Sequence, residues 1–197
     1  DPIINALINK IAFSLELSKI EIYILEDLNL NGLASPDGKV FITRGFMDKY
    51  YSGFVSAEEL IGVVAHELGH LALGHTKKRM VAYTTQNFLQ MSLGLVISRI
   101  IPFVGNYISS LILKLITAKI SRMDEYEADK YATAVMLKIG LGINPLVKLF
   151  NKLENLQNDY KHSLTWLQSH PNPSDRILAI KKLNDCWSNN RNKNLKI

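Results

Sequence analysis

Residues 56–75, SAEELIGVVAHELGHLALGH, predict a long helix with a clear start signal. Ser56 and Glu59 have the spacing of a capping box, in which each side chain accepts a hydrogen bond from the other residue's backbone N–H. The apolar residues LIGVVA (60–65) then lead into HELGH (66–70). We expect this helix to run through about residue 78.

HELGH contains the side chains that a catalytic zinc site needs. At about 100° of rotation per residue, His66 and His70 lie about 40° apart on one helix face, so both imidazoles can reach one ion. Glu67 lies at the edge of that face. In this arrangement two histidines bind zinc and the glutamate accepts a proton from the attacking water. A site of this kind needs a third protein ligand.

His75 is the first candidate for that ligand, but the helix geometry argues against it. On one continuous helix His75 points about 180° away from His66, so we predict a surface or capping histidine. The elongated zinc motif places glycine three residues and histidine six residues after the second ligand. This chain has Leu73 and Thr76 at those positions, so the third ligand must come from elsewhere.

The acidic stretch SRMDEYEAD (121–129) supplies a better candidate. Glu125 and Asp129 are four residues apart and share a helix face. This pairing favours Glu125 as the third ligand, with Asp129 holding a ligating histidine through its free ring N–H. Glu127 lies about 200° from Glu125 and is predicted to be a solvated charge. The alternative is that Glu125 and Asp129 are simply an acidic pair facing water.

Outside these motifs the chain predicts mainly helices and a small sheet. Helical periodicity covers residues 2–18, and helices also continue to residue 139, restart at 144 and close the chain from about 172 to 187. The short β-rich runs EIYIL (21–25) and KVFIT (39–43) predict two strands joined by a loop with turn residues. We expect KVFIT to present a sheet edge to which an extended substrate adds as another strand.

Residues 88–116 form an unusually apolar run, interrupted by Arg99, Pro102, Asn106 and Lys114. These interruptions leave neither half long enough to be a clear membrane span. The run favours a buried or partly buried helical hairpin that turns at 102–106. The alternative is a hairpin that lies on a bilayer surface or dips into it.

Composition excludes some functions and leaves others open. The net charge is +5, but the basic residues are scattered and do not form the stripe typical of nucleic-acid binding, so we predict no nucleic-acid partner. The single cysteine, Cys186, allows no internal disulfide and says nothing about the cellular compartment.

Taken in order, HELGH, SRMDEYEAD and HPNPSDRI (170–177) resemble the HtpX and CAAX-prenyl-protease family of gluzincin zinc metallopeptidases, which includes soluble envelope members similar to BepA. With NLNGLASPDGKVFIT (29–43), which resembles the strand before the family's active helix, the likeness covers about three quarters of the chain. It implies an α+β, mostly helical, zincin-like fold with a small sheet beside the active-site helix. We expect a single metallopeptidase domain over 1–188, an inserted hairpin at about 84–120, and a basic tail at 189–197.

The resemblance also implies roles for individual residues. The glutamate of the family's E-x-x-x-D motif is the third zinc ligand and corresponds to Glu125, and the aspartate corresponds to Asp129. His170 is expected near the developing oxyanion, and Arg176 is expected to organise the site. Family members often carry a basic residue where this chain has Asp124, so the local charge is more negative here.

These observations predict a zinc endopeptidase with one Zn²⁺ per chain, held by His66, His70 and Glu125, with Glu67 as general base. The resemblance implies protein or peptide substrates and protein quality control in the cell envelope, periplasmic or membrane-associated; a cytoplasmic location stays open. The apolar run itself, and not the resemblance, leaves membrane-surface contact through 88–116 as an alternative. One alternative is a metal-stabilised, chaperone-like module that binds unfolded clients without cutting them. Another is hydrolysis of a non-peptide amide or ester.

Overall fold

The computed structural model describes residues 1–100, 105–159, 166–167, 170 and 173–194. The helices are α1 (Pro2–Ser14), α2 (Arg44–Tyr51), α3 (Ala57–Ala72), α4 (His75–Ile100), α5 (Gly105–Lys138), α6 (Asn144–Asp159) and α7 (Pro173–Asn194). The strands are β1 (Ile22–Leu25), β2 (Gly32–Ala34) and β3 (Val40–Thr43). The predicted fold class, α+β and mostly helical with a small sheet packed beside α3, is confirmed.

Helix α3 forms the centre of the fold. It begins with the predicted capping box between Ser56 and Glu59. From Glu59 to His70 every residue of the helix is buried, as expected of a helix that is covered on all sides. Helices α1, α5 and α6 and strands β2 and β3 pack around it. The motif HELGH therefore lies on the buried part of a helix that other elements surround.

The sheet differs from the prediction in one respect that affects the site. The strand order is β1-β3-β2, with β3 parallel to β1 and antiparallel to β2. KVFIT therefore lies in the middle of the sheet, and the prediction that it offers an edge is wrong. The edge beside α3 is β2, a three-residue strand within the stretch that the sequence analysis assigned to a loop.

Helix α3 also ends earlier than expected. It stops at Ala72, and Gly74 adopts a left-handed φ of 71°, a conformation that glycine reaches without the steric cost of a Cβ. A new helix, α4, starts at His75. The helix is therefore interrupted between Ala72 and His75, and the prediction that it runs to residue 78 is wrong.

The ends of the first and last helices also shift. Helix α1 stops at Ser14 instead of 18, and Glu16 takes a positive φ of 57° that ends the helix. Helix α7 continues to Asn194, so residues 189–194 of the predicted tail extend a helix. Residues 195–197 of that tail lie outside the described part.

Helices α4 and α5 contact each other extensively and form the predicted hairpin, whose turn residues 101–104 lie outside the described residues. The hairpin is much less buried than the favoured interpretation required. Large apolar side chains are exposed on both helices, among them Phe88, Met91, Leu95, Tyr107 and Leu115. No helix in the described part of the chain has the length and apolar character that crossing a membrane requires.

Candidate metal centre

The two histidines of HELGH occupy one buried face of α3, against α5. His66 is 1% and His70 3% exposed, and their Nε2 atoms lie 3.1 Å apart. Gly69 allows this close approach of the two helices. A Cβ at this position would lie only 3.0 Å from the backbone of Ala128 on α5, so a larger residue would push the acidic stretch away from the histidines.

Glu125 of α5 completes a cluster of donor atoms with these histidines. Its Oε2 lies 3.3 Å from His66 Nε2, and its Oε1 lies 3.4 Å from His70 Nε2. The Nδ1 of His170 joins them, 2.7 Å from Glu125 Oε2 and 3.3 Å from His66 Nε2. One ligand atom from each of these four buried residues lies within 4.8 Å of the other three.

The donor set fits a zinc ion. Nitrogen and oxygen ligands at 2.0–2.2 Å from a tetrahedral zinc lie about 3.3–3.6 Å from one another, close to the observed separations among His66, His70 and Glu125. Ring nitrogens and carboxylate oxygens that converge on one point repel each other unless a proton or cation lies between them. Imidazole and carboxylate together are ligands that zinc accepts.

The pKa values of the metal-free cluster support this interpretation. Burial lowers the pKa of His70 to about 4 and that of His170 to about 3, so both rings are neutral. Burial also lowers the pKa of His66, but hydrogen bonds with Asp129 and Glu125 outweigh it and raise the pKa to about 9. His66 therefore carries a proton on each ring nitrogen in the metal-free cluster, and a cation that binds at Nε2 would displace one of them.

Glu67 lies beside the donors but does not pair with them. It is 2% exposed, and its Oε1 has no hydrogen-bond partner among the described residues. One polar group of the cluster, His170 Nε2, lies 3.6 Å from this oxygen. Burial raises the pKa of Glu67 to about 7. A carboxylate with these properties is suited to accept a proton near neutral pH, and its unpaired oxygen leaves a position for a water molecule.

Asp129 and Arg176 form a buried ion pair that fixes His66. The Oδ1 of Asp129 accepts a hydrogen bond from His66 Nδ1 at 2.9 Å, so that Nε2 faces the donor cluster. Arg176 of α7 donates from Nε to Asp129 Oδ2 at 2.6 Å and from Nη2 to Oδ1 at 2.7 Å. Its guanidinium carbon lies 4.5 Å from the ring centroid of Phe150 and 5.1 Å from that of Trp166.

His170 is held at the site through its backbone. Its N–H donates to the carbonyl oxygen of Trp166 at 2.8 Å, and its own carbonyl accepts from Arg176 Nη1 at 3.2 Å. The side chain was expected near an oxyanion, and the structure places its Nδ1 among the donor atoms. From this position His170 can itself serve as a ligand.

His75 lies in a different place from the one predicted. It is fully buried, and its Nδ1 lies 3.0 Å from Nδ1 of His70. The early end of α3 is the cause, because it releases His75 from the helix on which it would have faced away. Its Nε2 lies 3.0 Å from Glu127 Oε2, so Glu127 also has a partner and is not merely solvated. A glycine just after a helical pattern is the signal that could have revealed this break.

Asp124 and Arg79 add a second ion pair at the base of the hairpin. Arg79 of α4 donates to Asp124 Oδ2 at 3.3 Å and to Glu125 Oε1 at 2.9 Å. Asp124 is 6% exposed, so the acid that departs from the family pattern is buried beside a cation. Nothing in the local sequence spacing of Arg79 indicates its contact with Glu125, which lies 46 residues further along the chain.

A cleft opens onto this centre from the side of the sheet. Residues 31–34, which contain the edge strand β2, line one wall. Glu67, His70, Arg79 and His170 line the other side. The cleft thus joins an unpaired strand edge to the buried carboxylate and the donor cluster.

Comparisons with known proteins bear on the same region. The family model of peptidase family M48 matches residues 1–184. The metalloprotease LoiP of Escherichia coli (strain K12) is 27% identical over 161 residues, which cover 82% of this chain and 60% of that protein. The putative beta-barrel assembly-enhancing protease of Vibrio cholerae is 25% identical over 189 residues, covering 90% of this chain and 38% of the relative.

A third relative comes from a eukaryote. The mitochondrial metalloendopeptidase OMA1 of Arabidopsis thaliana is 26% identical over 165 residues, covering 83% of this chain and 31% of that protein. The chain therefore spans between about a third and 60% of the length of these three relatives.

Proposed function

This chain belongs to peptidase family M48, and we propose that it is a zinc-dependent endopeptidase that hydrolyses peptide bonds of protein substrates. Membership of the family implies a metal cofactor and protein or peptide substrates. The observation that carries the proposal is Glu67, a buried carboxylate with an unpaired oxygen that lies beside a cluster of metal donors and lines an open cleft. A purely structural metal site needs the donors but not this carboxylate.

In the proposed mechanism His66, His70 and Glu125 would hold one Zn²⁺. The ion would supply a Lewis acid that activates a water molecule and polarises the scissile carbonyl. Glu67 accepts the proton of the attacking water and passes it to the leaving nitrogen. Asp129 and Arg176 keep His66 oriented through its Nδ1, and His170 borders the reacting centre, where its proposed role is at the oxyanion.

The substrate is proposed to bind as an extended strand along β2. This strand is the last in the sheet order, and residues 31–34 line the cleft opposite Glu67. Backbone hydrogen bonds to such an edge fix the direction of a peptide without reading much of its sequence. The site is therefore expected to accept many sequences in an unfolded or flexible segment.

The test combines metal content with proteolysis. Purified protein is expected to contain about one zinc per chain and to cleave casein, and a chelator is expected to stop the cleavage. Glu125→Ala removes one of three proposed ligands, so zinc content and cleavage should both fall to a small fraction of wild type. The matched change of an exposed acid, Asp185→Ala on α7, should leave both unchanged.

Two results would contradict the proposal. Cleavage that survives complete removal of metal would exclude the zinc mechanism. Zinc bound to wild type without any cleavage would favour the second candidate, a metal-stabilised module that binds unfolded clients. The exposed apolar hairpin is the observation that favours this candidate, and Glu67 is the one against it.

We further propose that the hairpin contacts an anionic membrane surface. Between residues 75 and 123 the chain has seven lysine and arginine residues, at 77, 78, 79, 99, 114, 119 and 122, and no aspartate or glutamate. Phe88 and Leu95 on α4 and Leu115 on α5 are each more than 60% exposed. Basic residues beside exposed apolar side chains suit a bilayer whose headgroups are negative.

Vesicle binding tests this contact. The protein is expected to sediment with vesicles that contain anionic lipid and much less with neutral ones. Phe88→Ser combined with Leu95→Ser should weaken binding about tenfold or more, because each buried side chain contributes roughly 1.5–3 kcal/mol. Phe13→Ser, which changes a side chain on α1 that is 87% exposed, is the matched control. Equal binding by all of these variants would contradict the proposal.

The location that fits these proposals is the cell envelope or another membrane-associated compartment, with a role in protein quality control. One relative is named as a beta-barrel assembly-enhancing protease and another as a mitochondrial metalloendopeptidase. We propose the domain as a peptidase unit over 1–188 with the hairpin inserted between the two ligand-bearing motifs.

A further inference from the structure

His75, the first residue of α4, connects a proposed zinc ligand to the protein surface. Its side chain is completely buried, yet neither the proposed ligand set nor the catalytic mechanism uses it. Its Nδ1 lies 3.0 Å from Nδ1 of His70, and its Nε2 lies 3.0 Å from Oε2 of Glu127. The Glu127 side chain is 55% exposed, so the chain of contacts runs from the site to solvent.

The hydrogen-bond directions in this chain of contacts follow from the proposed site. His70 presents Nε2 to the donor cluster, and a ligating nitrogen must be without a proton. A neutral His70 therefore carries its proton on Nδ1 and donates it to Nδ1 of His75. His75 then carries its own proton on Nε2 and donates it to the carboxylate of Glu127. Each N–H group in this arrangement therefore has one acceptor. No other pair of tautomers leaves His70 Nε2 free to bind the metal and also forms the hydrogen bonds from His70 to His75 and from His75 to Glu127.

We propose that His75 and Glu127 are positioning residues that hold His70 in the tautomer and ring orientation needed to bind the metal. This inference rests on the proposed function. His66 has a direct carboxylate partner in Asp129, whereas His70 reaches its carboxylate through an intervening imidazole. A carboxylate that orients a ligating histidine typically changes metal affinity by about 10–100-fold.

A second cation bound by His75, Asp124 and Glu127 is the main competing explanation, because their ligand atoms also lie within 4.8 Å of one another. Such a cation would need Nε2 of His75 without its proton. The proton would then move to Nδ1 and oppose the Nδ1 proton of His70, 3.0 Å away. Asp124 is in addition already paired with Arg79. The two successive hydrogen bonds, from His70 to His75 and from His75 to Glu127, therefore account for the geometry better than a second ion does. We call this pair of hydrogen bonds the relay.

The test measures zinc affinity and the cobalt spectrum, which do not depend on turnover. Zinc dissociation constants are obtained by competition with a chromophoric chelator, and the Co²⁺-substituted protein reports the ligand geometry. His75→Phe keeps an aromatic ring but removes the acceptor, so we expect zinc binding about 10–100-fold weaker and an altered cobalt absorption band. Glu127→Leu should shift both readouts in the same direction.

Glu127→Gln keeps a carbonyl acceptor for Nε2 of His75 and is expected to restore affinity and spectrum nearly to wild type. Because Glu127 is half exposed, its variants fold even if His75→Phe does not; Asp185→Leu is the control for removing an exposed acid. Wild-type affinity and spectrum in both His75→Phe and Glu127→Leu would overturn the relay while leaving the proposed function intact. Two zinc ions per wild-type chain, with one lost in Glu127→Leu, would also overturn it. Wild-type protein that binds no zinc would overturn both proposals.

Discussion

Replacing Glu67 by glutamine is expected to lower kcat for peptide cleavage by about 10²–10⁴-fold, the contribution typical of a general base. Glutamine has nearly the same shape but cannot accept the proton of the attacking water. None of the proposed donor atoms belongs to residue 67, so zinc content should stay near that of wild type. The measurement is single-turnover cleavage of a labelled peptide together with metal analysis of the same sample.

Glu58→Gln, the same substitution in the first turn of the same helix, is the control and should retain full activity. Full activity in Glu67→Gln would show that another group acts as the base. Loss of zinc together with activity would mean instead that Glu67 helps to hold the ion. These outcomes separate the catalytic role from a ligand role.

Although Glu67→Gln should lower kcat, it should raise the free energy of unfolding of the metal-free protein. The pKa of Glu67 is 4.5 in the unfolded chain and about 7 in the folded one. Below pH 4.5 the group is protonated in both states and has no effect. Between pH 4.5 and 7 the unfolded state releases its proton first, so the free energy of unfolding falls as the pH rises. Above pH 7 the loss is complete and amounts to about 3 kcal/mol.

Metal-free Glu67→Gln lacks this penalty, so urea unfolding should find it about 3 kcal/mol more stable than wild type at pH 8 and nearly equal to it at pH 4. Bound zinc should reduce the difference, because its positive charge stabilises the Glu67 carboxylate. A variant that is less stable at pH 8 would show that Glu67 makes favourable contacts in the folded protein that outweigh its burial.

Local spacing was sufficient to predict much of the fold and part of the site. The capping box at Ser56 and the helical pattern predict that His66 and His70 share one face of α3, and the four-residue spacing of Glu125 and Asp129 predicts that these two share one face of α5. Both relationships lie within single helices, where the angle between residues is known in advance. The predicted family and fold class are confirmed.

The parts that the sequence did not predict depend on chain direction and long-range pairing. One left-handed residue, Gly74, redirects the chain and turns His75 from an expected surface residue into a buried partner of His70. Strand β2 has three residues, too few for an alternating pattern to be seen. Arg79 and Asp124 lie 45 residues apart on two different helices, so spacing within one helix cannot reveal their pairing.

Removing the Arg176 side chain is expected to cause the largest loss of stability outside the apolar core. Arg176 is 1% exposed, makes two short hydrogen bonds to Asp129 and stacks over Phe150. Arg176→Met keeps most of the aliphatic packing but leaves the Asp129 carboxylate buried without its cation. Breaking a buried pair in this way typically costs about 3–5 kcal/mol. Urea unfolding of the metal-free protein measures the loss.

A surface ion pair provides the matched control. Arg44 donates to Glu26 through its Nε at 3.0 Å, but this pair is solvated, so Arg44→Met should leave the free energy of unfolding nearly unchanged. If both substitutions lowered the free energy of unfolding equally, burial would not be the reason why the Arg176–Asp129 pair stabilises the protein.

The double variant Arg176→Met with Asp129→Asn distinguishes the cost of an unpaired charge from the loss of the contact. Neutralising Asp129 removes the buried charge, so the double variant should recover part of the stability that Arg176→Met loses. The double variant should bind zinc more weakly than Arg176→Met, because an asparagine oxygen holds the Nδ1 proton of His66 less strongly than a carboxylate does. Equal zinc affinity in these two variants would show that the charge of Asp129 does not contribute to metal binding through His66.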